Sequence, residues 1–320
     1  MLGEDFIGHG DNEDPTFMPK LEDYKVRLNS SFKIEGGKRL RGNLNLVSKP
    51  DMPLVSIITV VYNGEKYLEQ TIESVIHQSY RNIEYLIIDG GSTDGTLDII
   101  RKYEAWVDYW ISESDNGISD AMNKGIAAST GEIIGLLHAD DWYSTDQIER
   151  GVNALIRSKA DFVFGDLHFH DASGRFQHRI NGDPDYANEI HKRMPELCHP
   201  TVLVKREAYE KFGVFDTDFR IAMDYEWFLR VHMQGGRGGY VKGLLGHMRL
   251  GGISDTSYIR ELKEVRNIAV TYGQPRWAAG LRFWYRIIRT SIRRRMQDWF
   301  PAGLSRLFRK MINRQYSNEV

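Results

Sequence analysis

The chain has a single cysteine, Cys198, in 320 residues. That excludes an internal disulfide and fits a reducing compartment. Beside His199 the thiol suggests a catalytic cysteine, but a small apolar filler is the commoner use of a lone Cys. No stretch reaches the roughly 20 apolar residues of a spanning helix, and the acidic opening, Met1 to Asp14, does not read as a signal peptide. Neither the dinucleotide fingerprint G-x-G-x-x-G nor a P-loop occurs, so those two ways of holding a nucleotide are disfavoured. There is no internal repeat. The length allows one large or two modest domains with a real core.

The net charge of −2 conceals an asymmetry. Between Arg276 and Arg314 eleven Lys or Arg face one acid, Asp298, so an acidic globule carries a basic end. Nucleic acid is a poor partner, because the rest of the chain is acidic and shows no recognition module.

Residues 1–52 are polar, rich in Gly and Asp, and lack periodicity. They read as an extension that is partly disordered or laid across the body. From Pro53 strand-like and helix-like runs alternate. Val55–Tyr62, Ile83–Ile88, Val107–Ile111 and Ile133–Leu137 are strand-like. Glu65–Gln78, Thr96–Tyr103, Ile118–Ala128 and Asp146–Ile156 have helical spacing. Apolar strands alternating with amphipathic helices predict an α/β fold with a parallel sheet covered on both faces. After Asp161 the pattern loosens. Phe162–Phe164, Val202–Val204 and Tyr240–Met248 read as strands, Arg206–Phe212 and Met223–Met233 as helices. Gly235–Gly239 reads as a flexible turn, and helices resume at Tyr258. The divisions expected are 1–52, 53–157, 158–255 and 256–320.

Chemistry concentrates where strands end. Asp140 and Asp141 follow Ile133–Leu137 and put two carboxylates at the carboxyl edge of a sheet, where open α/β folds bind ligands. Such hard oxygen ligands suit Mg²⁺ or Mn²⁺ shared with a diphosphate. A competing reading makes them loop residues before a helix capped by Ser144 and Gln147. Asp89-Gly90-Gly91-Ser92-Thr93-Asp94-Gly95-Thr96 follows another strand: the carboxylate can accept from a nucleobase, the glycines admit close approach, and Ser92 or Thr93 can cap the next helix. Thr59, Tyr62 and Asn63 end the first strand. Asp115 to Gly125 runs from a loop into a helix, with Asp115, Asp120 and Lys124 in reach of one side. Each segment alone is as easily ordinary turn or capping chemistry.

Taken together and in order, SIITVVYNGEKYLEQTIESVIHQSY, IEYLIIDGGSTDGT and SDNGISDAMNKGIAASTGEIIGLLHADDW resemble family 2 of the glycosyltransferases. The likeness is close over about Pro53 to Trp142 and weakens toward Ser254. It implies the GT-A fold, a Rossmann-like, mostly parallel central sheet flanked by helices, here followed by C-terminal amphipathic helices. It also implies an inverting transfer of sugar from a nucleotide-sugar, a UDP-sugar above all, to a hydroxyl of a glycan acceptor. By that resemblance Thr59, Tyr62, Asp89, Asp115, Lys124 and Asp140 hold the donor nucleotide. Asp140 with Asp141 binds Mg²⁺ or Mn²⁺ where the family has D-x-D, its first acid replaced here by His138. Met223-Asp224-Tyr225-Glu226 resembles the family's acidic motif, with Asp224 as general base and Met223 in place of a Glu. His199, Glu226 and Arg249 fall on the acceptor or diphosphate side, and His247 is a further candidate for the metal shell. The rival readings are a sugar nucleotidyltransferase, which lacks here its early Gly- and basic-rich phosphate loop, and a non-catalytic sugar-nucleotide-binding protein.

At the basic end, Leu281, Trp284, Tyr285, Ile288 and Ile292 fall at helical spacing, with Arg282, Arg286, Arg289 and Arg293 as a second stripe. Such a helix suits a surface of anionic lipid. The expectation is a cytoplasmic enzyme held peripherally at the inner membrane face through 276–314, where a polyprenyl-diphosphate-linked acceptor is met in cell-surface polysaccharide synthesis. Docking on the globule and the seam of a homo-oligomer are the alternatives.

Overall fold

A computed structural model describes residues 19–28, 33–42, 46–251 and 258–299. Gly252 to Ser254 and residues 300–314, to which the sequence assigns roles, lie outside them. The chain forms two compact units, Met1–Tyr258 and Ile259–Val320.

The first unit is built on a ten-stranded sheet. β2 (Val55–Val61), β3 (Ile83–Asp89), β4 (Tyr109–Ser112) and β5 (Ile133–His138) lie in the order 4-3-2-5, all parallel. All seven residues of β2 are buried, as an unbroken β-branched and apolar run covered on both faces requires. Helices α2 (Leu68–Ile76), α3 (Thr96–Lys102) and α4 (Ile118–Ala128) make the crossovers. α2 buries Leu68, Ile72 and Val75 at helical spacing. In α4 a Cβ at Gly125 would run into the Ile58 side chain, so glycine sets how closely this helix approaches β2.

β6 (Trp142–Tyr143) and α5 (Gln147–Arg157) follow, then β7 (Phe162–His170), β8 (Phe176–Ile180), α6 (Tyr186–Glu189), β9 (Leu203–Lys205), α7 (Arg206–Phe212), α8 (Met223–Met233) and β10 (Gly238–Arg249). Here the sheet becomes mixed. β9 enters antiparallel between β5 and β7, β10 runs parallel to β7, and β6 pairs antiparallel with β10. A mostly parallel sheet therefore describes the first half better than the second. β7 outruns its predicted three residues because Leu167 to His170 gain partners on both β8 and β10. Gly238 and Gly239 belong to β10 rather than to a free turn.

The described part of the N-terminal extension lies on the body. α1 (Leu21–Arg27) packs on α4 and buries Leu21 and Tyr24, and β1 (Ile34–Gly36) pairs with β4. The second unit contains α9 (Tyr258–Thr271), all but its first residue, and α10 (Arg276–Trp299). α9 buries Leu262, Ile268 and Ala269, and α10 buries Ala279 and Phe283, whose ring lies 5.4 Å from the Arg266 guanidinium.

Candidate functional site

The strand register decides what meets at the edge. Val61 of β2 pairs with Asp89 of β3, Asp89 with Ser112 of β4, and Val60 with His138 of β5. The loops that start at Tyr62, Gly90, Glu113 and Ala139 therefore leave the sheet side by side.

Asp89 is fully buried and already saturated. Its Oδ2 accepts from the Gly91 and Ser92 amides at 3.2 and 3.0 Å and from Ser112 Oγ at 2.6 Å, while Oδ1 accepts from Ser92 Oγ at 2.5 Å. The carboxylate thus shapes the loop. Ser92 also accepts from the Asn63 amide, and Asn63 Oδ1 accepts from the Thr93 amide. The cap on α3 comes from Asp94, which accepts from the Thr96 amide at 3.0 Å, and not from Ser92 or Thr93. Asp115 lies across the same loop, where a Cβ at Gly90 would collide with its carboxylate. Burial raises its pKa, against a lowering hydrogen bond from Gly117.

Two expected donor contacts are placed elsewhere. Thr59 is buried in the sheet, 3.0 Å from the Tyr85 hydroxyl, and does not reach the edge. Lys124 is buried and paired with Glu113 at 2.8 Å and Asp120 at 3.3 Å; burial opposes its charge, and these acids outweigh it to raise its pKa. Its ammonium organises the loop before α4. Tyr62, in contrast, is 65% exposed at the edge and free to meet a ring.

The acid pair is held from α2. Thr71 Oγ1 lies 2.8 Å from the Ala139 carbonyl and 2.7 Å from that of Asp141. Asp141 is buried, its Oδ1 accepting from the Arg249 amide at 3.2 Å, while Oδ2 has no hydrogen-bond partner. Burial, then the charge of Asp140, raises its pKa well above the usual carboxylate range. His138 Nε2 is equally buried and unpartnered, and burial beside His199 lowers that imidazole to about 4. One ligand atom from each of His138, Asp140 and Asp141 lies within 4.8 Å of the others. The residue that breaks the D-x-D pattern therefore rejoins the acids as a third donor. A buried carboxylate oxygen and a neutral ring nitrogen, both unpaired, fit a divalent cation; the mixed N and O set suits Mn²⁺ at least as well as Mg²⁺.

Arg249 closes this corner. Its guanidinium lies 4.2 Å from the Tyr67 ring and 4.7 Å from the Trp142 ring, donates to Gln70, and keeps a buried Nε without a partner. Tyr67 and Gln70 were not legible as site residues, because only the fold brings α2 against β10.

Three further expectations are corrected. Ser144 does not cap α5 by its side chain: its hydroxyl sits 3.0 Å from His247 Nε2. His247 groups with His168 and His170 and not with the acids, its Nδ1 3.0 Å from His170 Nε2 and its ring stacked on Trp142. Glu226 does not face an acceptor. It is buried and forked onto Arg230 at 2.9 and 3.0 Å, and Arg230 also donates to the Phe212 and Val214 carbonyls.

Asp224 opens α8 and is half-buried, its Oδ1 accepting from the Tyr225 amide at 2.7 Å. Burial pushes its pKa up to about 6 against that bond. The segment leading to α8 is tied to α4 by Ser119 Oγ to the Phe219 carbonyl and by Asn123, which bonds both backbone groups of Phe215. The His199 ring lies 5.5 Å from that of His138 and 6.4 Å from that of Phe215. Cys198 is free and buried, with its thiol pKa raised by burial, in keeping with a packing role.

Residues 56–213 match the sequence model of "Glycosyl transferase family 2". An uncharacterised glycosyltransferase of Mycobacterium tuberculosis is 33% identical over 181 residues, 56% of this chain and 68% of the relative. One of Rickettsia typhi is 32% identical over 185 residues, 55% of this chain and 58% of the relative; the match thus spans little more than half of the latter's length. Among solved structures, Staphylococcus aureus TarS 1–349 in complex with UDP-GlcNAc superposes with a TM-score of 0.54 at 16% identity, over 71% of this chain and 69% of that one. The mannosyltransferase PcManGT of Pyrobaculum calidifontis, in complex with GDP-Man and Mn²⁺, gives 0.54 at 18% identity, over 92% and 86%. At such identities the superpositions establish the GT-A fold.

Proposed function

Because this chain belongs to family 2 of the glycosyltransferases, we propose that it moves one sugar, with inversion, from a nucleotide-sugar to a hydroxyl of a glycan acceptor. The observation that carries this reading is the group of His138, Asp140 and Asp141, whose ligand atoms lie within 4.8 Å of one another. The group leaves Asp141 Oδ2 and His138 Nε2 buried and unpaired, with Arg249 tied to Asp141 through its amide. A site with buried, unsatisfied groups of both signs suits a cation-bound diphosphate. UDP is the favoured nucleotide, supported by the complex of TarS.

In the reaction, Asp224 takes the acceptor hydroxyl's proton while that oxygen bonds to the anomeric carbon. The bond from that carbon to the diphosphate oxygen breaks, and the nucleoside diphosphate departs. Arg249 neutralises part of the charge that develops on it. Asp140, Asp141 and His138 would hold Mn²⁺ or Mg²⁺, which when bound supplies the remaining positive charge to the leaving group. Tyr62 and Asp115 line the donor side, with Asp89 holding their loop in shape.

The acceptor is proposed to be lipid-linked, at the cytoplasmic membrane face. No helix among the described residues is long and apolar enough to cross a membrane. The outer stripe of α10 is nonetheless uncovered: Trp277, Leu281, Trp284, Tyr285 and Ile288 are 71, 64, 60, 63 and 55% exposed. Aromatic residues beside arginines suit an anionic lipid interface.

The test is a panel of nucleotide-sugars with Mn²⁺, followed by thermal shift and by slow hydrolysis. One donor should raise the melting temperature only with the cation and be hydrolysed to nucleoside diphosphate. Release of pyrophosphate from a nucleoside triphosphate and a sugar phosphate would instead make the protein a nucleotidyltransferase.

A further inference from the structure

His168, Phe169 and His170 end β7, and alternation along a strand puts the two imidazoles on one face. The parallel register places His247 of β10 opposite His168, and the β6 pairing places Trp142 opposite His247. One ligand atom from each of His168, His170 and His247 lies within 4.8 Å of the others.

The rings are held for lone pairs to converge. His170 Nδ1 is 3.0 Å from the Gly174 carbonyl. A carbonyl only accepts, so that nitrogen carries the proton and Nε2 presents its lone pair inward. His247 Nδ1 stands 3.0 Å from this Nε2, and its own Nε2 is 3.0 Å from Ser144 Oγ. A hydroxyl can donate or accept. With no cation, His247 donates from Nδ1 to His170 and accepts from Ser144. With a cation, it moves its proton to Nε2, donates to Ser144 and turns the Nδ1 lone pair inward. This tautomer change releases no proton to solvent. Outer partners on distal nitrogens are what fix ligating imidazoles in place. Trp142 adds a rigid wall, parallel to His247 at 5.1 Å and 4.6 Å from His170. His168 packs edge-on against His247 at 5.6 Å and Phe176 at 4.9 Å.

We propose that His168, His170 and His247 form a second metal site, for a divalent transition ion of the zinc class, separate from the group at His138, Asp140 and Asp141. Nitrogen donors without a carboxylate suit Zn²⁺ and not Mg²⁺. Two nitrogens on a tetrahedral zinc lie about 3.3 Å apart, close to the spacing already held by His170 and His247. The His168 ligand atom, within 4.8 Å of the other two, closes by at most about 1.5 Å to complete three protein ligands, leaving the fourth position to water. The ion would tie β7 to β10 beside Trp142, the ring on which the Arg249 guanidinium rests, and so stiffen one wall of the donor site. The proposal stands whether or not the transferase reading does.

The test uses the untagged full chain, loaded with Zn²⁺, dialysed and assayed for bound metal. One equivalent should remain, and remain in Asp140→Asn. The double variant His168→Gln/His170→Gln should bind Zn²⁺ at least tenfold more weakly, and Ser144→Ala about tenfold more weakly. Zinc that is lost with Asp140→Asn, or a chain that retains none, overturns the proposal. Should the double variant fail to fold, Co²⁺ added to the unaltered chain decides. Intense visible bands of a tetrahedral nitrogen site support the proposal, and the weak spectrum of octahedral oxygen coordination overturns it.

Discussion

Asp224 occupies the first turn of α8 with its carboxyl pushed up to about 6 by burial. A base must be ionised to act, so kcat/KM should rise with pH and level off above about 6, falling about tenfold per unit below it. Asp224→Asn should lower kcat by roughly 10²–10⁴ and leave nucleotide affinity unchanged in calorimetry; near-normal turnover would remove Asp224 from the chemistry. The same shift has a sign for stability. A carboxyl whose folded pKa lies above its unfolded value binds the proton more tightly when folded. Ionising it costs the fold, so stability falls as pH climbs from about 4 through 6. Asn carries no such cost: the variant should melt higher than the parent at pH 8, with the gap closing by pH 4. The acids of this site were legible as residue types at strand ends. That His138 joins them, while Lys124 and Thr59 do not reach out, was not legible, because each depends on which neighbour a side chain meets.

At the level of elements, α8 displays two acids two positions apart with opposite fates. Asp224 is half-buried and accepts from the Tyr225 amide, while Glu226 is consumed by Arg230 one turn later. That buried pair also satisfies the Phe212 and Val214 carbonyls at the end of α7. Arg230→Ala should therefore cost about 3–5 kcal/mol in chemical denaturation, since it strands a buried carboxylate; a loss below 1 kcal/mol would show the pair is not buried in solution. Helix and strand positions in the first half followed from periodicity, and α4, α7 and α8 begin and end where the pattern predicts. β8 and the extension of β7 were missed, because their polar residues are stabilised by strand pairing and not by an apolar pattern. The same pairing hid the histidine group, though alternating histidines in His168-Phe169-His170 are a signal once a strand is assumed.

For the molecule as a whole, the second unit carries an exposed aromatic stripe on α10. Flotation with anionic vesicles should recover the full chain, less of it at high salt because surface charge is screened. Leu281→Glu/Trp284→Glu should stay in the soluble fraction with its far-ultraviolet spectrum unchanged. Equal flotation of both proteins would end the membrane proposal and leave the stripe to another partner. Charge segregation was evident from composition alone, whereas the exposed face had to be found by seeing which side of α10 buries Ala279 and Phe283.

The order of strands and helices from Pro53 to Arg157, the acids at strand ends and the basic end were written in the sequence, because burial periodicity and turn chemistry are local. Tertiary structure decided the rest. Which carboxylate stays unpaired, which arginine is sandwiched between rings and which imidazoles face one another all depend on register between strands far apart in the chain. Pairing energies between distant side chains leave no trace in a local pattern, so only the folded sheet could assign them.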